Sequence, residues 1–170
     1  LEHDAERLEV LGAGAAVVGT NGSDLLISSI ELGSTPIVKS TFTRPNAAQG
    51  ETRSHGFFFK QSQAGGGVLG LPIRLDGQPY RHLRYGSAEV AFVKVEQDLT
   101  LSGFGALGAS EASVDDACKV SCTDWYGNAR PIFFRGRTFA LLGYELVEAN
   151  QTAEGVVEMA RLQFLQARQR

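Results

Sequence analysis

Ala15-Ala-Val-Val-Gly19-Thr20-Asn21-Gly22-Ser23-Asp24-Leu-Leu-Ile-Ser-Ser-Ile30 decides how this chain is read. Two apolar runs flank Thr20-Asn21-Gly22-Ser23. Asn-Gly between such runs is the strongest short-range signal for a β-hairpin, because glycine enters the left-handed backbone region of a tight turn without steric cost. Upstream, Arg7–Leu11 alternates polar and apolar residues and meets the hairpin through the small-residue turn Gly12-Ala13-Gly14. The polar residues 1–6 are expected to fray, with His3 exposed.

The same grammar recurs along the chain. Pro36–Thr43 reads as a strand that tolerates an edge, its proline placed at the start where no ladder donor is required. Arg44–Glu51 is a polar loop. His55–Lys60 and Gly65–Ile73 form the next hairpin, the second strand ending at Pro72, and a loop follows around Arg74, Arg81, His82 and Arg84. Ser87–Val95 and Leu99–Phe104 make a third hairpin across Glu96-Gln97-Asp98. Ile132–Arg135 with Thr138–Leu142, then Tyr144–Val147, make a fourth. Val156–Phe164 is the last strand, with a helix as the alternative, since Glu158-Met-Ala-Arg-Leu-Gln163 are good helix formers. Residues 105–130 form an irregular loop, in which Ser110–Cys118 has the make-up of one or two helical turns capped by Ser110.

Hairpins centred near Gly22, Gly66, Gln97 and Gly136 or Gly143 recur every roughly 30–45 residues, about the length of a four-stranded propeller blade. Phe57–Phe59 and Val90–Val93 are apolar on both faces, which suits strands held between two neighbouring sheets. The expected fold class is therefore all-β, with repeated antiparallel hairpins in a single domain over residues 1–170. A partial β-propeller of about three to four blades is the leading form, a β-sandwich or barrel the alternative.

Composition agrees. At 170 residues the chain can bury a real core, and its 20 glycines fit a turn-rich β protein. A net charge of −3 with no basic face argues against a nucleic-acid partner. No run of about eighteen apolar residues is present, so no membrane-spanning helix is expected. The chain starts at Leu1 rather than Met, which reads as a fragment, a mature form or a trimmed form of a longer protein.

Chemistry-bearing residues gather late. Cys118 and Cys122 are separated by one residue too many for the usual zinc hairpin, and no further Cys or clustered His completes a tetrahedral set. A small-loop disulfide is the sharper reading, two free thiols the other, and a disulfide would point to an oxidising compartment. Glu111, Asp115, Asp116, Asp124 and Asn128 are oxygen ligands on an irregular loop, the setting calcium needs, although the spacing is not that of a twelve-residue calcium loop. A solvated acidic loop is the main reading of these carboxylates, with a glycosidase pair drawn from Asp115, Asp116 or Asp124 as a further alternative. Trp125 and Tyr126 with Arg130 make either an aromatic platform for sugar or peptide or an anchor that packs the loop. No cofactor other than calcium is implied. His55 follows Ser54, but adjacent strand side chains point to opposite faces, so the pair makes a poor nucleophile and a structural role for His55 is expected.

Arg53-Ser-His55-Gly-Phe-Phe-Phe59, followed by Gly67-Val-Leu-Gly-Leu-Pro72-Ile73, resembles a unit of secreted bacterial proteins with a β-propeller domain: a histidine–aromatic strand, then a leucine-rich strand ending in proline. Ile27-Ser-Ser-Ile-Glu-Leu32 with Pro36 before it, Ser87–Phe104 after it and the hairpin Pro131–Leu142 are similar to further segments of that family. The family pattern carries an acidic residue just before the histidine, where this chain has Ser54. The resemblance implies the C-terminal part of an extracytoplasmic propeller, with no common enzymatic chemistry, whose remaining blades come from the parent chain or a second chain.

The expected function is a non-enzymatic extracytoplasmic binding or scaffold module completed by further blades, taking a protein or carbohydrate ligand. A carbohydrate-active hydrolase or lyase using carboxylates of the 111–128 loop is one alternative, a calcium-stabilised structural subunit the other.

Overall fold

The computed structural model describes residues 1–75, 88–110 and 129–164. Over these the protein is all-β, built from antiparallel hairpins gathered into three sheets. The first sheet runs in chain order through β1 (Arg7–Leu11), β2 (Gly14–Asn21), β3 (Asp24–Glu31) and β4 (Ile37–Arg44). The second holds β5 (Ala47–Gln49) and β6 (Phe58–Gln61), which pair with β7 (Gly67–Leu75), then β8 (Ala88–Val95) and β9 (Leu101–Gly108). The third runs through β10 (Ala129–Phe134), β11 (Arg137–Leu142), β12 (Glu145–Gln151) and β13 (Val156–Gln163). Val156–Gln163 is thus a strand, and the helical alternative is not realised.

Turn chemistry explains the hairpins. Asn21 pairs with Asp24, so the turn residues of the first hairpin are Gly22 and Ser23, with positive φ (67°) at Gly22. That is the type II′ pattern rather than an Asn-Gly type I′ turn. Arg135 (φ 49°) and Gly136 (φ 79°) both enter the left-handed region between Phe134 and Arg137, the type I′ pattern.

The sheets stack face to face in chain order. Leu11, Ala16, Val18, Leu25 and Ile27 of the first sheet meet Leu69, Leu71, Ile73, Ala91, Val93 and Val95 of the second in one apolar cluster. From the opposite face of the second sheet, Val68, Val90, Phe92, Phe104 and Leu107 meet Ala140, Leu142, Val147 and Ala149 of the third. β8 is therefore buried on both faces, as the apolar run Val90–Val93 implies. Phe57–Phe59 behaves differently: Phe57 is buried but Phe58 is half exposed, because β6 is an edge strand. Gly70 is needed for close approach, since a Cβ there would lie 2.6 Å from Pro131 Cβ.

Several boundaries differ from the sequence reading. β7 does not end at Pro72 but continues to Leu75. Proline survives in this central strand because it lies opposite the break between β5 and β6, where no ladder donor is required; its carbonyl still accepts from Gly50 N–H (2.9 Å). The irregular loop is shorter than residues 105–130, as Gly105–Gly108 continue β9 and Ala129-Arg130 open β10. No sheet closes into a barrel among the described residues. The repeat is also longer than the hairpin spacing suggests. The turns at Gly66 and Gln97 belong to one sheet, as do those at Gly136 and Gly143, so equivalent second strands begin at Gly14, Gly67 and Arg137.

Candidate functional site

Asp115, Asp116, Cys118, Cys122, Asp124, Trp125, Tyr126 and Asn128 lie outside the described residues, as do Glu111, Arg81, His82 and Arg84. The proposed disulfide, calcium cluster, carboxylate pair and aromatic platform all rest on them. Arg130 is described: it is exposed on β10, on the face of the third sheet that turns away from the second.

The two roots of the 111–128 segment are placed, and they converge. Ala129 pairs with Leu142, and Leu142 with Glu145 across the Gly143-Tyr144 turn. Glu145 is almost fully buried (1% exposed) and collects the other root. Ser110 donates its N–H to Oε2 (3.0 Å) and its hydroxyl to Oε1, Arg161 Nη1 donates at 2.5 Å and Gln163 Nε2 at 3.1 Å. Burial alone would raise the Glu145 pKa. The Ser110 donors, the Arg161 charge and Gln163 outweigh it and hold the carboxyl below the ordinary value of 4.5. Arg161 also pairs with Glu158 and donates to Gly108 O (3.1 Å), so one guanidinium binds β13 to the end of β9. Sequence reading missed Glu145 entirely. An acidic residue just after a Gly-X turn gives no sign that it will be buried.

A second polar knot joins the first and second sheets. Arg7 (9% exposed) donates through Nη2 to the carbonyls of Glu51 (3.2 Å) and Arg53 (2.8 Å). Glu51, also buried, accepts from Arg53 N–H (2.7 Å) and from its guanidinium. Burial raises the Glu51 pKa, but Arg53's bonds and charge, with a smaller contribution from His55, bring it below 4.5. His55 does not open a buried strand: Ser54–Gly56 is a 3-10 turn and the strand begins at Phe58. Its Nε2 lies 3.7 Å from Glu51 Oε2, so the carboxylate beside this histidine stands four positions earlier, not immediately before it.

The lead-in is tied down rather than frayed. Asp4 N–H bonds Thr20 O (3.0 Å), and His3 Nε2 lies 2.8 Å from Ser28 Oγ, which also contacts Thr41 Oγ1. Ser28 is 1% exposed, so this serine–histidine contact clamps the segment and presents no open nucleophile. Open grooves lie between the first two sheets at both ends. One of 490 Å³ is lined by Lys39, Gln61, Glu96 and Asp98 among others, and one of 500 Å³ by Glu6, Thr20, Gln49, Thr52 and Arg74. Among the described residues no group of three or more His, Cys, Asp or Glu is placed to hold a metal ion, and no helix is long and apolar enough to cross a membrane.

The surfaces that remain are the two outer faces of the stack. On the first sheet, Val10, Ala15, Ile30 and Val38 form an apolar row across all four strands. On the third, Ile132 and Phe139 lie beside the row Arg130, Leu141, Leu146 and Leu162. Val10 is 72% exposed and Leu162 57%, against the ordinary rule that a sheet turns a polar face to water.

The fold thus defines an all-β protein of stacked antiparallel meanders. Compared with protein-family models, curated proteins and solved structures, the chain has no match.

Proposed function

We propose that this chain is a non-enzymatic binding or scaffold module, a partial β-propeller acting outside the cytoplasm and completed by further sheets. The observation that carries this reading is that both end sheets turn apolar faces outward. A stack that was complete as it stands would end in polar faces, since apolar burial contributes about 25 cal/mol per Å² and an open sheet face forgoes it. The chain-order meanders and the doubly buried middle sheet support a blade-like unit. The extracytoplasmic placement rests on the sequence resemblance to secreted propeller proteins.

A role in binding fits the buried polar knots, in which Glu145 and Glu51 are consumed by structural partners and leave neither free for proton transfer. The test is solution scattering with apolar-dye binding on the isolated chain. Association, or dye uptake by open faces, is the expected result. A closed monomer that takes up no dye would overturn the reading.

A further inference from the structure

We propose that the occupant of both outer faces is a second copy of this chain. Two molecules join so that the first sheet of each lies on the third sheet of the other, closing a ring of six sheets. This rests on the reading above, and three observations point to it.

Polarity comes first. Within the chain β1 packs near β6, β4 near β9 and β9 near β13, so strand order runs the same way through all three layers. A third-sheet face laid on a first-sheet face repeats the polarity of both internal junctions, whereas two like faces would reverse it.

Chemistry comes second. Each face carries an apolar cross-strand row, Val10, Ala15, Ile30 and Val38 on face one and Leu141, Leu146 and Leu162 on face three, where Arg130 and the Arg137–Glu148 ion pair stand beside it. Face three offers large anchors, Phe134 (57% exposed), Met159 (60%) and Leu162 (57%). Face one offers the prominent Leu8 (71%) and Val10 (72%) beside the small, buried Ala15 (8%). Knobs beside a hollow are what interdigitating sheet faces need. The lead-in lies over the Gly19 end of face one, with the Asp4 carbonyl where a Gly19 Cβ would stand, and leaves Leu8, Val10 and Val38 exposed.

Size comes third. Four strands about 4.8 Å apart and about six residues long at about 3.3 Å each give a face of about 400 Å². A single junction buries about 800 Å² in total, no more than a lattice contact, whereas the two junctions of a closed pair bury up to about 1,600 Å², the size of a stable interface. One-faced pairing is therefore disfavoured and closure through both faces favoured. Six sheets fall within the ordinary four-to-eight-blade range.

The experiment is sedimentation velocity on the whole chain and on two double variants, Leu8→Glu with Val10→Glu, and Phe134→Arg with Leu162→Arg. Circular dichroism shows that each stays folded, as these exposed positions allow. The expected results are a dimer for the parent chain and a monomer for each variant alone. Mixing the two variants restores the dimer, because one junction is then wild type and the other pairs Glu with Arg. Three outcomes overturn the proposal: a monomeric parent chain, a dimer that survives in either variant alone, or open filaments. A monomer that binds apolar dye through these faces sinks self-pairing but leaves completion by other sheets standing. A monomer without dye uptake sinks both.

Discussion

Ser110 donates its backbone N–H to the buried Glu145 carboxylate across 3.0 Å, and so fastens the root of the 111–128 segment to the turn between β11 and β12. The other root, Ala129, is held two pairings away through Leu142.

Replacing Glu145 by Ala leaves the Ser110 donors without their acceptor and Arg161 with Glu158 as its remaining carboxylate. The expected cost is about 1–3 kcal/mol, read as a lower urea midpoint with an unchanged slope. Acid should act in the same direction. The folded-state pKa of Glu145 lies below its unfolded value near 4.5, so the unfolded chain binds more protons between the two values. Its contribution is complete above the unfolded value and is lost as pH falls through the folded one. In Glu145→Gln the dependence of Tm on pH through this window should flatten, leaving the part due to Glu51, which is shifted the same way. An unchanged pH profile would show that the Glu145 bonds do not form.

Gly70→Ala tests the stacking of the second sheet on the third. The new methyl would lie 2.6 Å from Pro131 Cβ and 3.2 Å from the Phe92 ring, with little room to yield. Overpacking of this kind costs about 1–3 kcal/mol. A neutral result in thermal unfolding would mean that these sheets do not meet there.

Gly19→Ala addresses the lead-in. Its Cβ would collide with the Asp4 carbonyl, so residues 1–5 should lift from the sheet while the core stays folded. Hydrogen exchange reads this directly, with faster exchange expected at the Asp4 amide and little change at Val18. Exchange unchanged at Asp4 would contradict the clamp.

Joint replacement of Asp115, Asp116 and Asp124 by Ala separates binding module from enzyme. On the proposed reading, association is unchanged and folding stability stays within about 0.5 kcal/mol of the parent. Turnover of a polysaccharide that disappears in the triple variant would favour the hydrolase or lyase instead. A fall in Tm on adding a chelator to the parent chain would favour the calcium-stabilised subunit.

Local signals carried most of the strand assignment. Gly22 and Gly136 mark turns because left-handed backbone is open to glycine, and both sit between apolar runs visible in the chain. The burial of Val90–Val93 on two faces was legible from an uninterrupted apolar run. The expected strand at His55 fails because Gly56 N–H bonds back to the Arg53 carbonyl (2.9 Å) and closes a 3-10 turn, a bond that the extended-looking aromatic run does not show. Residues 105–108 were read as loop because their glycines weaken strand propensity, yet pairing with β8 holds them in the sheet.

By itself the sequence determined an all-β chain of antiparallel hairpins with at least one strand buried on both sides, because turn residues and the period of two act over neighbouring positions. Only the tertiary structure decided which hairpins share a sheet, that the sheets stack in chain order and which apolar side chains of the end sheets, such as Val10 and Leu162, are exposed among the described residues. It also decided the polar knots, which join residues far apart in the chain: Ser110 to Glu145 across 35 positions, Arg7 to Arg53 across 46 and His3 to Ser28 across 25. Such contacts leave no local pattern, since each partner is ordinary in its own stretch and becomes buried only when another sheet closes over it.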